Sequence, residues 1–343
     1  MTSLALFLAV LAFLLAVPIP RMLSRARFRA RSPWTAMLLW QAIALAGGLA
    51  LIGAPLVYGL SPFGESLHEA AAEVLRLLFA ADFSALEDLH VLPLHVFALC
   101  LGVMLGAHLL LTLLRTYIRV LGSRRRHRDL VRLLSTPFDS STPAQAGPSM
   151  SGAALDEAHV IDHDAPLAYC LPGRTNATSV TVLSRGLLEQ LSRAELAAVV
   201  AHERTHLQQR HHLLTMAFDA WYRALPWLPT TRYGREAVLE LTEMLADDGA
   251  LQEHSREDLL RSLALSTPDA ASTEAAAAPE GAAAPPVDAA RGATAGASGA
   301  VITTARLRRL LIPPPALPRA AQIVVVATAA ALLTVPTALL LIL

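Results

Sequence analysis

The sequence predicts a mainly α membrane protein: four transmembrane helices carrying one cytoplasmic α+β domain. Three observations lead there. Four long segments contain no Asp, Glu or Arg, arginines and carboxylates alternate between the connecting loops, and only one stretch, between the third and fourth segments, has the patterning of a folded domain. Composition agrees. Of 343 residues, 54% are hydrophobic and only 16% charged, against roughly 25% charged in a typical soluble domain. Mean hydropathy is +0.46. These values exclude wholesale disorder and an ordinary soluble domain. The formal net charge is zero, with 28 basic and 28 acidic residues, and every basic residue is arginine. That balance excludes the basic face of a nucleic-acid binder, so no direct nucleic-acid contact is expected.

The charge-free segments run 4–20, 35–60, 91–114 and 320–343. A helix needs about 20 apolar residues to cross the hydrocarbon core. The first segment is short enough to suggest a signal peptide, but a signal peptide carries positive charge before its apolar run. Residues 1–3 carry none and the arginines follow, so a retained span is expected. The loop after it holds Arg21, Arg25, Arg27, Arg29 and Arg31 with no acid. The loop between the second and third spans holds Glu65, Glu69, Glu73, Asp82, Glu87 and Asp88 against the single Arg76. Arginines cluster again after the third span and before the fourth. The bias is consistent at every crossing, so the expected location is multi-pass in the cell membrane, with both termini outside and the large segment from Arg115 to Arg319 cytoplasmic. Trp34, Trp40 and Tyr58 suit interfacial anchoring of the second span. Cys100 and Cys170 have no CxxC neighbour and read as structural.

The expected divisions follow. Residues 1–118 hold three spans, a basic cytoplasmic loop and an acidic external loop. Residues 119–158 are a basic juxtamembrane stretch and a Ser/Pro/Gly/Ala linker. Residues 159–265 are the folded domain, 266–301 a disordered Ala/Pro/Gly-rich linker, and 302–343 a basic stretch and the fourth span.

Within the folded domain the β-branched run 179–183 predicts a strand. Ser192 and Glu195 then form a capping box, with Leu191 and Leu196 placed as a hydrophobic staple, so a helix should start at Arg193. That helix carries His202-Glu203-Arg204-Thr205-His206, an HExxH motif. Residues four apart share a helix face, so both imidazoles can meet one tetrahedral zinc while Glu203, about 100° round, reaches a water at an open position. Residues 235–251 read as a second helix, in which Glu243 can complete a His, His, Glu set. Asp247, one turn on, can accept a hydrogen bond from the outer N–H of a ligand imidazole. His211 and His212 fall on other faces of the helix and read as surface residues. Tyr169, Tyr222, Tyr233 and His254 are the candidates for a further transition-state donor.

HExxH followed by ExxxD resembles the gluzincin metallopeptidases. Three spans, a zinc domain and a fourth span resemble the antirepressor sensor-transducers of beta-lactam resistance, as does the phrase from Ser179 to Leu196 that leads into the motif. The resemblance covers the spans and residues from about 168 to 250. It implies a gluzincin-type zinc peptidase domain with one Zn2+ per chain, His202, His206 and Glu243 as ligands, Glu203 as general base, and Asp247 supporting a ligand. It also implies that Ser179, Val180, Thr181 and Val182 lie on an edge strand that pairs with an extended substrate peptide. The chain ends with the fourth span and shows no extracellular penicillin-binding sensor domain, so antibiotic sensing is not expected.

The expected function is that of a membrane-embedded zinc endopeptidase whose partners are the lipid bilayer and a protein or peptide substrate. The resemblance implies a cytoplasmic transcriptional repressor in a signalling pathway as that substrate. One alternative is an HtpX-like protease of membrane-protein quality control. Two spans after the motif would favour it, but residues 213–228 are short and contain Asp219 and Arg223. The other is a non-catalytic signalling scaffold, against which the intact Glu203, Glu243 and Asp247 argue.

Overall fold

Long alanine- and leucine-rich segments form helices here because these residues are strong helix formers, and Pro55 and Pro336 each sit inside a helix without ending it. The computed structural model describes residues 1–80, 91–137, 158–171, 173, 179–265 and 304–342. Most of the expected 119–158 linker and the 266–301 segment lie outside them. Among the described residues, four helices are long and apolar enough to cross a membrane: Thr2–Ser24, Pro33–Leu60, Pro93–Val131 and Arg319–Ile342.

The described residues divide into two units, the first made of Met1–Thr116, Thr215–Leu241 and Pro314–Leu343. In it, α1 (Thr2–Ala16) breaks at Val17 and resumes as α2 (Pro18–Ser24), because Pro18 has no N–H to continue the ladder. After the short α3 (Phe28–Arg31), α4 (Pro33–Leu60) packs along α1 through a cluster that includes Leu4, Leu8, Ala12, Ala50 and Val57. α5 (Leu67–Ala80) follows, and then α6 (Pro93–Leu134), which continues without interruption through the basic stretch after the third span. Trp40 is not an interfacial anchor: it is fully buried, whereas Trp34 is exposed.

The second unit comprises Tyr117–Leu214 and Thr242–Pro313. It is built on a four-stranded sheet of β1 (Ser135–Pro137), β2 (Ala158–Ile161), β3 (Ala168–Leu171) and β4 (Val180–Ser184), in the order β1-β2-β4-β3. β4 runs parallel to β2 and antiparallel to β3. One face of the sheet packs Leu183 against Leu187 of α7 (Arg185–Gln190) and against Leu196 and Val200 of α8 (Arg193–Gln208). The other packs Tyr169, Leu171 and Val182 against Val131 of α6. Two more helices, α9 (His211–Ala224) and α10 (Pro229–Ala250), each cross the boundary between the units. α11 (Arg256–Leu265) and α12 (Thr304–Leu311) close the second unit, where Ala198, Ala250, Leu259, Leu263 and Leu310 meet.

Two expectations change here. The predicted 159–265 domain is interrupted, because 215–241 clusters with the apolar helices, while α12 from the expected basic stretch joins the zinc-motif unit. The strand predicted at 179–183 forms one residue later and is not an edge. β2 and β3 pair with it on either side, so Val180, Thr181 and Val182 have no free backbone row for a substrate, and Ser179 lies outside the strand. Val182 and Leu183 are fully buried, which is what places this most β-branched run in the middle of the sheet. Among the described residues β1 and β3 are the outer strands instead.

Candidate metal centre

α8 begins where its sequence says it should. The Ser192 hydroxyl accepts from Glu195 N, and the Glu195 carboxylate accepts from Ser192 N at 2.7 Å. With that end fixed and Leu196 and Val200 seated on the sheet, His202 and Glu203 are carried inward and buried. Thr205 donates to Ala201 O at 2.9 Å. α10 comes very close to this turn. A Cβ on Gly249 would collide with the Thr205 hydroxyl, so glycine is what lets the two helices approach.

Three ligand-type atoms then converge. His202 Nε2 lies 3.2 Å from His206 Nε2 and 3.6 Å from Glu243 Oε2, and His206 Nε2 lies 3.4 Å from Glu243 Oε1. Ligands about 2.05 Å from a tetrahedral zinc are separated by about 3.3 Å, so the spacing fits the ion. Two imidazoles and a carboxylate also suit zinc chemically. His202, His206 and Glu243 form the one such group among the described residues.

The protonation states fit a ligand set with one exception. Burial pushes His206 down to about 3, with the His202 charge adding to it, so His206 is neutral. Burial works against the ionised Glu243, but His202, His206 and Arg306 hold it down at about 2. Burial also lowers His202, yet its contacts with Asp247 and Glu243 win and raise it to about 9, so this ring keeps a proton that zinc must displace. Glu203 is pushed up to about 7 by burial, against the opposing charge of His202. Its carboxylate accepts a hydrogen bond from the Cys170 backbone N–H on β3.

Each histidine is held from behind. His202 Nδ1 lies 3.1 Å from Asp247 Oδ1. Asp247 is fully buried and takes a bidentate pair from Arg306, Nε and Nη2 each at 2.7 Å. Arg306 Nη1 also lies 3.0 Å from Glu243 Oε2, and Arg309 of the same helix pairs with Asp248 at 2.6 Å. His206 Nδ1 lies 2.9 Å from His211 Nδ1, and His211 Nε2 lies 3.0 Å from Gln209 Oε1. Reading His211 as a surface residue is therefore corrected: it is 2% exposed. Arg210, at φ 52°, turns the chain sharply between α8 and α9 and brings the next residue back under the motif. His212 is half-buried, and burial lowers it to about 4.

The expected extra donors do not gather here. Tyr169 faces the other side of the sheet and lies against His127. Tyr222 and Tyr233 lie beside Arg235 and Arg232 in the first unit. His254 caps the end of α10 through its backbone bond to Ala250 O. The functional residue that sequence reasoning missed is Arg306, which read only as part of a basic stretch. It stands 59 positions from Asp247 in the chain, and no local periodicity links the two.

Comparison with known proteins agrees with this geometry. Among curated proteins, a protease HtpX homolog from Acidiphilium cryptum (strain JF-5) is 39% identical over 72 residues, which is 21% of this chain and 24% of that relative. The chain thus matches about a quarter of the relative's length. No solved structure matches the chain. Residues 145–264 match the model of peptidase family M48, a stretch that contains HExxH, Glu243 and Asp247 and stops short of Arg306.

Proposed function

We propose that this chain is a membrane-anchored zinc endopeptidase, with His202, His206 and Glu243 as ligands and Glu203 as general base. The observation that carries the proposal is the convergence of the three ligand atoms at tetrahedral spacing beside a buried carboxylate. Zinc held there supplies Lewis acidity to a scissile carbonyl and to a water. Glu203, poised near neutrality by burial, takes the proton of the attacking water and passes it to the leaving amine. Asp247 and Arg306 keep His202 oriented with its Nε2 toward the ion.

The outward edge of β3 is the proposed seat of the substrate. Ser184 N donates to Leu167 O, so by the alternation of an antiparallel ladder Ala168 and Cys170 turn their backbone groups away from β4. Cys170 N–H already reaches Glu203, so a peptide extended along this edge would run past the base.

Two substrate classes remain distinct. The likeness to an HtpX homolog favours quality control of membrane proteins, and the arrangement of three apolar helices before the motif and one after it favours regulated cleavage of a cytoplasmic repressor. Comparing protein termini in cells carrying wild type or Glu203→Gln tests both. Many membrane-protein fragments that depend on Glu203 select the first, and one cleaved regulator the second. Identical termini in the two strains would sink the peptidase reading itself.

A further inference from the structure

Residues 213–228 are apolar but too short to span a bilayer, and they are interrupted by Asp219 and Arg223. The structure makes them half of a hairpin, α9 turning into α10, whose residues 215–241 cluster with the apolar helices. Its turn meets those helices at their middles. Trp221, Leu228 and Thr230 share one small cavity with Ala12, the central residue of 4–20, and with Gly47, at the centre of 35–60. Leu225 and Leu228 pack in one cluster with Ala16 and Val17 of the first segment, Leu51 of the second, and Leu105 and Leu109 of the third, all within about two helical turns of the segment centres. On all three helices the contacts thus fall inside the apolar segments, away from their ends. Further along α10, Gly234 fits under Phe218 and near Trp40, and Glu240 pairs with Arg29 of the basic loop at 3.1 Å. From Glu240 to Pro229 the helix rises about 16 Å. That is close to half of a hydrocarbon core about 30 Å thick.

Several polar groups of the turn are met by protein partners. An irregular backbone at membrane depth must have its polar groups satisfied by protein. Here His108 Nε2 lies 3.1 Å from Ala224 O, and the Thr231 hydroxyl donates to Leu225 O at 2.7 Å and to Leu228 O at 2.8 Å. Charged side chains at depth need partners. Asp219 takes both Arg223 and Arg235, at 2.8 and 2.9 Å, and Arg232 reaches back to Glu236 at 3.4 Å. At the turn itself Trp227 is 73% exposed.

We propose that residues 215–241 form a re-entrant hairpin that enters the hydrocarbon core beside the spans, turns near the bilayer midplane and presents Trp227 to lipid acyl chains. This rests on the four apolar helices being membrane spans. The test is nitroxide depth measurement, by oxygen against a water-soluble nickel chelate, on the full chain in liposomes of phosphatidylcholine and phosphatidylglycerol. Single labels are placed by Trp227→Cys, Val103→Cys and Arg185→Cys in a background with Cys100→Ser and Cys170→Ser. The 227 label should match the 103 label, about 15–20 Å below the phosphates, while the 185 label stays aqueous. If the 103 label is deep and the 227 label as aqueous as 185, the hairpin proposal is overturned. If the 103 label is aqueous too, the span reading falls with it. Should Trp227→Cys fail to fold, the emission difference between wild type and Trp227→Phe reads the same depth. Lipids brominated near mid-chain should quench that difference more than lipids brominated near the headgroup; the reverse order overturns the proposal.

Discussion

His202 and His206 leave one helix a single turn apart, yet their outer nitrogens meet opposite chemistry. Behind His202 stand a buried carboxylate and a buried guanidinium. Behind His206 stand a neutral imidazole and an amide. The ionic side keeps a proton on its histidine, up to about 9, and the neutral side removes one, with His206 near 3 and His211 pushed by burial to about 4. Tautomers follow from the ligand roles. If His206 offers Nε2 to the ion, its Nδ1–H donates to His211 Nδ1, and His211 Nε2–H donates to Gln209 Oε1. Two like histidines are thus oriented by two unlike supports, and the supports can be broken one at a time.

The largest expected effect falls on neither side. Glu203→Gln should cut peptide cleavage by about 10²–10⁴-fold with zinc content unchanged, measured by turnover and metal analysis on the same sample. Breaking the ionic side comes next. Arg306→Ala leaves Asp247 and Glu243 as neighbouring buried carboxylates and should cost about 3–5 kcal/mol of stability in metal-free protein, read by denaturant titration. Asp247→Asn keeps the shape but loses the charge. It should weaken zinc binding about 10–100-fold in chelator competition. On the neutral side, His211→Ala should weaken zinc nearer the lower end of that range, and His211→Asn, whose amide oxygen can accept from His206, should recover part of it. An equal loss for Asn and Ala would refute the hydrogen-bond relay.

A further effect is one of pH. His202 is raised from 6.5 to about 9 in the metal-free site, so the proton stabilises that state fully below 6.5 and is lost as pH rises through about 9. Zinc must displace it, so zinc affinity should climb across that window and level off above it. Asp247→Asn removes a cause of the raised value and should move the window down. A window unchanged by the substitution would mean that the Asp247 contact does not set it.

How much of this could be read beforehand differs by residue. The start of α8 was legible because Ser192, Glu195, Leu191 and Leu196 act within one turn of each other. That His202 and His206 share one face was legible because a helix repeats every 3.6 residues. Glu243 and Asp247 could be paired with it only by their own one-turn spacing and a resemblance. Arg306, His211 and the middle place of β4 had no such signal. Arg306 reaches its partner across 59 positions, His211 depends on the left-handed Arg210, and β4 becomes central only because β2 and β3 arrive on both sides.

The amino-acid order alone therefore determined what depends on short range: apolar lengths, charge alternation, the helix cap and the spacing of HExxH. Tertiary structure alone decided which helix backs each histidine of the motif, which strands lie at the sheet edges, and that residues 215–241 cluster with the apolar helices. Those outcomes come from contacts between residues distant in the chain, whose free energy depends on burial and on charges brought together only when the chain has folded.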